Sequence, residues 1–261
     1  MSYATIALDI DPRGVARLTL NRPEKHNVLS AAMCDDLTAA AEALNADAGL
    51  RTVVLTGAGA SFCAGGDLQW MRAQFDASRE TRLTEARRLA RMLQALNTLR
   101  HPLIARVNGA AYGGGVGLMA VCDAVIAMDA ARFGLTETRL GLIPATISPY
   151  VIARIGEGRA RAVFFSARIF DAAEARDLGL VTRIAAAGAL DAAVEAEIAP
   201  YFAAAPGAVS AAKRLARSLG PRIDEAVIEA TIARLADAWE TEEARAGVAA
   251  FLEKRRAPWA L

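Results

Sequence analysis

The chain has 261 residues, 54% of them hydrophobic, and a formal net charge of +1 from 30 basic and 29 acidic side chains. That composition supplies a sizeable core and excludes intrinsic disorder, while the interspersed charges form no stripe for nucleic acid or a membrane surface. Apolar runs such as 116–121 and 124–128 stop far short of the ~20 residues of a membrane span, and the opening MSYATIALDIDPRG has neither the basic nor the apolar region of a signal peptide, so a cytoplasmic protein is expected.

Residues 5–10 and 15–20 alternate apolar and polar side chains across Asp11-Pro12-Arg13-Gly14, which predicts a hairpin. A polar loop, 21–27, precedes a helix over about 30–45, with Ser30 as N-cap and Met33, Leu37, Ala40, Ala41 and Leu44 on one face. A short buried strand at 52–55 leads into a glycine-rich loop, 57–66. A long amphipathic helix at 79–99 and a strand at 103–107 follow. Residues 108–117 then read as a glycine-dense turn opening a helix that reaches about residue 122, before an apolar strand at 124–128. From 148 onward the pattern is helical, with segments at 148–155, 157–166, 171–178, 188–204, 207–218, 223–238 and 241–254.

Several chemistries are excluded by inspection. Neither glycine cluster is followed by the Lys and Ser or Thr of a phosphate-cradling loop, and the Gly113, Gly115, Leu118 series fails a dinucleotide fingerprint at its third glycine. The segment Gly59-Ala60-Ser61-Phe62-Cys63 misses the nucleophile elbow at its last position. Of the two histidines, His101 precedes Pro102 at a helix-to-strand junction, where a structural role is expected. Three widely spaced cysteines, Cys34, Cys63 and Cys122, suggest neither a disulfide framework nor a metal site.

Two glycine turns and one acid remain. The segments 62–68 and 108–118 each follow a strand and open a helix, so each presents free backbone N–H groups at the positive end of a helix dipole. Singly, either could be a tight turn. Together they suggest a two-donor oxyanion hole, a device in which one lost donor costs ~3–4 kcal/mol of barrier.

These segments, with Leu20 to Asn27, Phe133 to Pro144 and a closing Ala250 to Arg255, resemble the enoyl-CoA hydratase/isomerase, or crotonase, superfamily along essentially the whole chain. The resemblance implies an α/β fold, a spiral of ββα units with a helical C-terminal trimerisation region. A catalytic core over 1–195 and an oligomerisation region over 196–261 are expected, assembled as a homotrimer or a dimer of trimers. It implies an acyl-CoA thioester substrate, with coenzyme A part of the substrate and no separate cofactor or metal. Gly66 and Gly114 correspond to the two oxyanion donors. Ala64 and Leu68 correspond to backbone contacts at the adenine end, Lys25 and its polar loop to phosphate contacts, and Phe251 and Lys254 to residues that reach a neighbouring subunit's CoA.

Hydratases of the superfamily typically carry two glutamates, one near the end of the second glycine turn and one after the Phe-Gly turn. Here the first position is Gly117, so Glu137 alone is expected to move protons. A lone glutamate there resembles the Δ3,Δ2-enoyl-CoA isomerases. Residues 109–118 and 136–150, however, resemble the bacterial 3-methylglutaconyl-CoA hydratases of leucine degradation, in which the same glycine replacement is the pattern. The expected function is therefore hydration of a short branched enoyl-CoA, best 3-methylglutaconyl-CoA, with isomerisation as the alternative. That substrate's distal carboxylate needs a cationic partner, for which Arg139 and Arg72 are candidates, although arginines at such places are more often simply solvated. A non-catalytic RNA-binding relative is a third possibility, which the balanced charge disfavours.

Overall fold

The alternation at the N-terminus folds as a hairpin: β1 (Ile6–Ile10) and β2 (Val15–Leu20) run antiparallel, with Ile6 opposite Leu20. The computed structural model describes residues 3–261. Ser30 caps α1 (Ala31–Ala46) by accepting the Met33 N–H at 3.3 Å.

Three strand–strand–helix turns then follow: β3 (Thr52–Gly57), β4 (Ser61–Cys63), α2 (Leu68–Ala73) and α3 (Arg79–Asn97); β5 (Leu103–Val107), β6 (Ala110–Tyr112) and α4 (Gly114–Val121); β7 (Ala124–Met128), β8 (Arg132–Gly134), a 3-10 turn at Glu137–Leu140, α5 (Ser148–Ile155) and α6 (Glu157–Phe164). The chain returns through β9 (Ile169–Asp171), α7 (Ala172–Asp177) and β10 (Arg183–Ala185). It closes with α8 (Leu190–Ile198), α9 (Pro200–Ala203), α10 (Pro206–Leu219), α11 (Glu225–Trp239) and α12 (Glu242–Leu252).

Each turn gives one strand to each of two sheets. The larger has the order β1-β2-β3-β5-β7-β10 and the smaller β4-β6-β8-β9, so the chain advances as a spiral. Pairing is parallel except at β1–β2 and β8–β9. All six residues of β3 are buried, as a parallel strand covered on both faces requires. Val53 and Leu55 point into the main core, while Val54 joins Ile104, Ile126 and the α8 residues Leu190, Val194 and Ile198.

The second sheet corrects the sequence reading. Residues 57–66 and 108–117 were expected as loop and turn, yet they contain β4 and β6; β8 and β9 were not anticipated either, nor was β10 at the edge of the larger sheet. Each of these is three residues long, too short to display a period of two. The expected helix over 188–204 is two helices, because Pro200 at the start of α9 has no N–H with which to continue α8.

The terminal helices fold back over the spiral. Ile228, Ile232, Leu235 and Trp239 of α11 and Val248 of α12 pack with Met71 of α2, Ala86 and Ala90 of α3, and Leu142 and Ala145 beyond the 3-10 turn. Among the described residues no helix is long and apolar enough to cross a membrane.

Candidate active site

The ends of β4, β6 and β8 lie side by side because these strands are paired, and the segments leaving them build one cavity of about 600 Å³. The turn after β4 is fixed by Leu29, whose N–H donates to the Gly65 carbonyl at 2.7 Å and whose carbonyl accepts the Asp67 N–H at 3.0 Å. Asp67 caps α2, accepting the N–H groups of Gln69 and Trp70 at 2.7 and 3.3 Å. Buried and 3.7 Å from Arg22, this acid is committed to holding the turn. The Gly66 N–H between these bonds has no backbone acceptor among the described residues.

The turn after β6 opens α4. Gly113 adopts φ +48°, and the following Gly114 N–H, in the first turn of the helix, is also without a backbone acceptor among the described residues. The two turns touch: a Cβ placed on Gly65 would lie 3.0 Å from the Tyr112 carbonyl and 4.0 Å from the Gly114 nitrogen. Two unsatisfied donors therefore face one cavity, the arrangement that stabilises charge developing on a carbonyl oxygen.

Glu137 begins the 3-10 turn after β8, and its Oε1 would stand 2.9 Å from a Cβ on Gly113. The residue as a whole is half-buried, but Oε2 is out of contact with solvent and has no hydrogen-bond partner. Burial pushes this carboxyl up to about 7, against a partial lowering by its own backbone N–H. A side chain poised between acid and base near neutrality is suited to proton transfer.

The vacated position is closed. A Cβ on Gly117 would lie 2.4 Å from Cγ2 of Ile147 and 3.7 Å from Cδ2 of Leu93, so apolar side chains fill the space a second glutamate would need. Of the other acids on the wall, Asp67 caps α2 and Glu85 accepts the Trp70 indole N–H at 3.1 Å.

Lys25, Ala64, Gly66, Leu68, Gly114, Glu137 and Phe251 all line this cavity. Lys254, beyond the end of α12, is exposed and does not line it. Lys25 and His26 are exposed at the rim, and His26 Nδ1 lies 3.0 Å from Ser61 Oγ. The N–H of Ala64 is spent on the His26 carbonyl at 3.0 Å, which leaves its own carbonyl as the group it can offer. His101 lies outside the cavity, buried under α10, where its carbonyl accepts Lys213 Nζ at 2.8 Å.

Arg139 and Arg72, the candidate carboxylate partners, are exposed and absent from the wall. The arginine on the wall is Arg88 of α3. Trp70 and Ile147 also line the cavity, together with Trp239, which sequence reasoning did not single out; the rings of Trp70 and Trp239 meet edge to face at 6.4 Å. Cys34 belongs to the wall as an apolar group, since burial pushes its thiol up to about 12. Among the described residues no group of three or more His, Cys, Asp or Glu side chains is arranged to hold a metal ion.

The sequence pattern of the family described as enoyl-CoA hydratase/isomerase matches residues 11–260. A Rhodobacter capsulatus protein described as a probable enoyl-CoA hydratase is 36% identical, with 98% of this chain and 97% of that one aligned. Crystal structures of an enoyl-CoA hydratase from Shewanella pealeana (35% identity, TM-score 0.80, covering 98% of this chain and 96% of that one) and one from Mycobacterium avium (31%, 0.85, 99% and 100%) share the fold.

Proposed function

The chain belongs to the enoyl-CoA hydratase/isomerase, or crotonase, family, and from that premise we propose that it hydrates a short branched enoyl-CoA, with 3-methylglutaconyl-CoA as the specific substrate. The observation that carries the reading is the unpartnered Glu137 Oε2 in the same cavity as the free N–H groups of Gly66 and Gly114. The thioester oxygen accepts both N–H groups, which makes the conjugated β-carbon electrophilic. Water adds there, its proton passes to Glu137, and Glu137 returns a proton to Cα, so one carboxylate ends as it began.

In this reading the carbonyl of Ala64 and the backbone at Leu68 receive the adenine, and Lys25 with His26 receives the phosphates. Phe251 covers its own chain's cavity, and Lys254 reaches a neighbouring subunit. A homotrimer or dimer of trimers is supported by α10, which buries only Ser210 although it carries Leu215 and Leu219. The three free thiols support a reducing, cytoplasmic location.

A second reading, Δ3,Δ2 isomerisation, is favoured by one observation: Ile147 over Gly117 makes that side of the site apolar. Glu137 would then carry a proton between Cα and Cγ without water. Incubation with 3-methylglutaconyl-CoA, crotonyl-CoA and a 3-enoyl-CoA in H₂¹⁸O separates the two. Heavy oxygen at C3 of the product is expected. Double-bond migration without oxygen, and no turnover of 3-methylglutaconyl-CoA, would replace hydration with isomerisation.

A further inference from the structure

Helix α3 runs along the cavity from the reaction centre outward. Leu93 lies against Gly117, while Leu89, Arg88 and Glu85 line the wall toward the helix N-terminus. At a rise of about 1.5 Å per residue, Arg88 stands roughly 7.5 Å along the axis from Leu93. The cavity lining also includes Ala31, Cys34, Trp70, Met71 and Trp239, and Arg88 is its one arginine among the described residues.

Arg88 is held but not saturated. Its Nη1 donates to Asp35 Oδ2 at 3.1 Å, the one hydrogen bond it makes among the described residues. Its Nη2 lies 3.5 Å from Glu85 Oε1, an ion pair too long for an N–H···O bond. Glu85 is fixed from its other oxygen by the Trp70 indole, which keeps the guanidinium from swinging away. Asp35 is 61% exposed, so that pair is screened by water and is easily exchanged for another carboxylate. By contrast Arg82, earlier on the same helix, is buried and spends its N–H groups on the Gln74 and Phe75 carbonyls.

We propose that Arg88 determines substrate choice by receiving an anionic terminus of the acyl chain, its free N–H groups pairing with a distal carboxylate while Glu85 and Trp70 hold the fork in place. Planar guanidinium and carboxylate match as a two-point contact, which an apolar chain end cannot use. This deepens the hydratase reading and rests on it for the carboxylated substrate.

Two saturated, unreactive ligands separate the claim from turnover: glutaryl-CoA, with a distal carboxylate, and butyryl-CoA, without one. Calorimetric titration of wild type, Arg88→Gln and Arg88→Lys is the test. Arg88→Gln should weaken glutaryl-CoA roughly ten- to hundredfold, leave butyryl-CoA within about twofold, and thereby report an intact fold. Arg88→Lys should recover part of the loss. Equal weakening of both ligands, or of neither, would overturn the assignment. Because neither ligand reacts, a failure of oxygen incorporation would remove the hydratase reading alone.

Discussion

At the scale of the residue, Glu137 does what its surroundings impose. An ordinary carboxylate titrates near 4.5, and this one is pushed up to about 7 by burial. The sign of its contribution to stability follows: the folded state binds the proton more tightly than the unfolded chain. Stability from that group is fully present below pH 4.5 and is lost as the pH rises through 7. Glu137→Gln removes the titration. Its stability should match wild type at acid pH and exceed it at pH 8, by up to about 3 kcal/mol; denaturant melts at pH 5 and 8 check this. Wild-type kcat/KM should rise with pH, with a midpoint near 7, as the base ionises, and the variant should turn over ~10²–10⁴-fold more slowly while still binding the thioester. A variant with near-normal turnover would remove Glu137 from the mechanism. The sequence carried this residue's position and its solitude, since Gly117 stands where a partner would be. It did not carry the plug. That Ile147 fills the space over Gly117 depends on how the segment after Pro144 packs, and no local pattern records it.

At the scale of the element, the turn that carries Glu137 is a short 3-10 helix with little intrinsic stability, and α12 braces it from behind. A Cβ on Gly247 would lie 2.5 Å from the Leu140 carbonyl carbon, and Gly141, at φ +69°, packs against the backbone of Glu243 and Ala244. The expected division at residue 195 assigned α12 to assembly, whereas this packing also makes it a support of Glu137. Gly247→Val should push the turn away, costing roughly 1–3 kcal/mol of stability and lowering kcat more than it raises KM. Gly158→Ala, at an exposed position of α6 with nothing within 4 Å, is the control and should cost nothing. Undiminished kcat in Gly247→Val would mean that α12 does not position the turn. Long periodic elements such as α1, α3 and β1 were legible because their faces repeat. The three-residue strands were not, and they are what bring Gly66, Gly114 and Glu137 together. Arg88 was hidden for another reason: on an amphipathic helix with arginines at 79, 82, 87, 88 and 91, no local pattern marks the one that lines the cavity.

At the scale of the molecule, the two sheets set a row of strand ends under a roof of α11 and α12, and the cavity between them brings Gly66, Gly114 and Glu137 together. The exposed Leu215 and Leu219 of α10 leave an apolar strip that the proposed trimer would cover. In the proposed reaction a thioester lies with its oxygen between the two glycine turns and its Cα beside Glu137. The direct measurement is a crystal structure with a bound, unreactive acyl-CoA. The carbonyl oxygen should sit within about 3 Å of both the Gly66 and Gly114 nitrogens, with the Glu137 carboxyl adjacent to Cα. A fully occupied ligand whose carbonyl points away from those nitrogens, or whose Cα is out of reach of Glu137, would contradict the account.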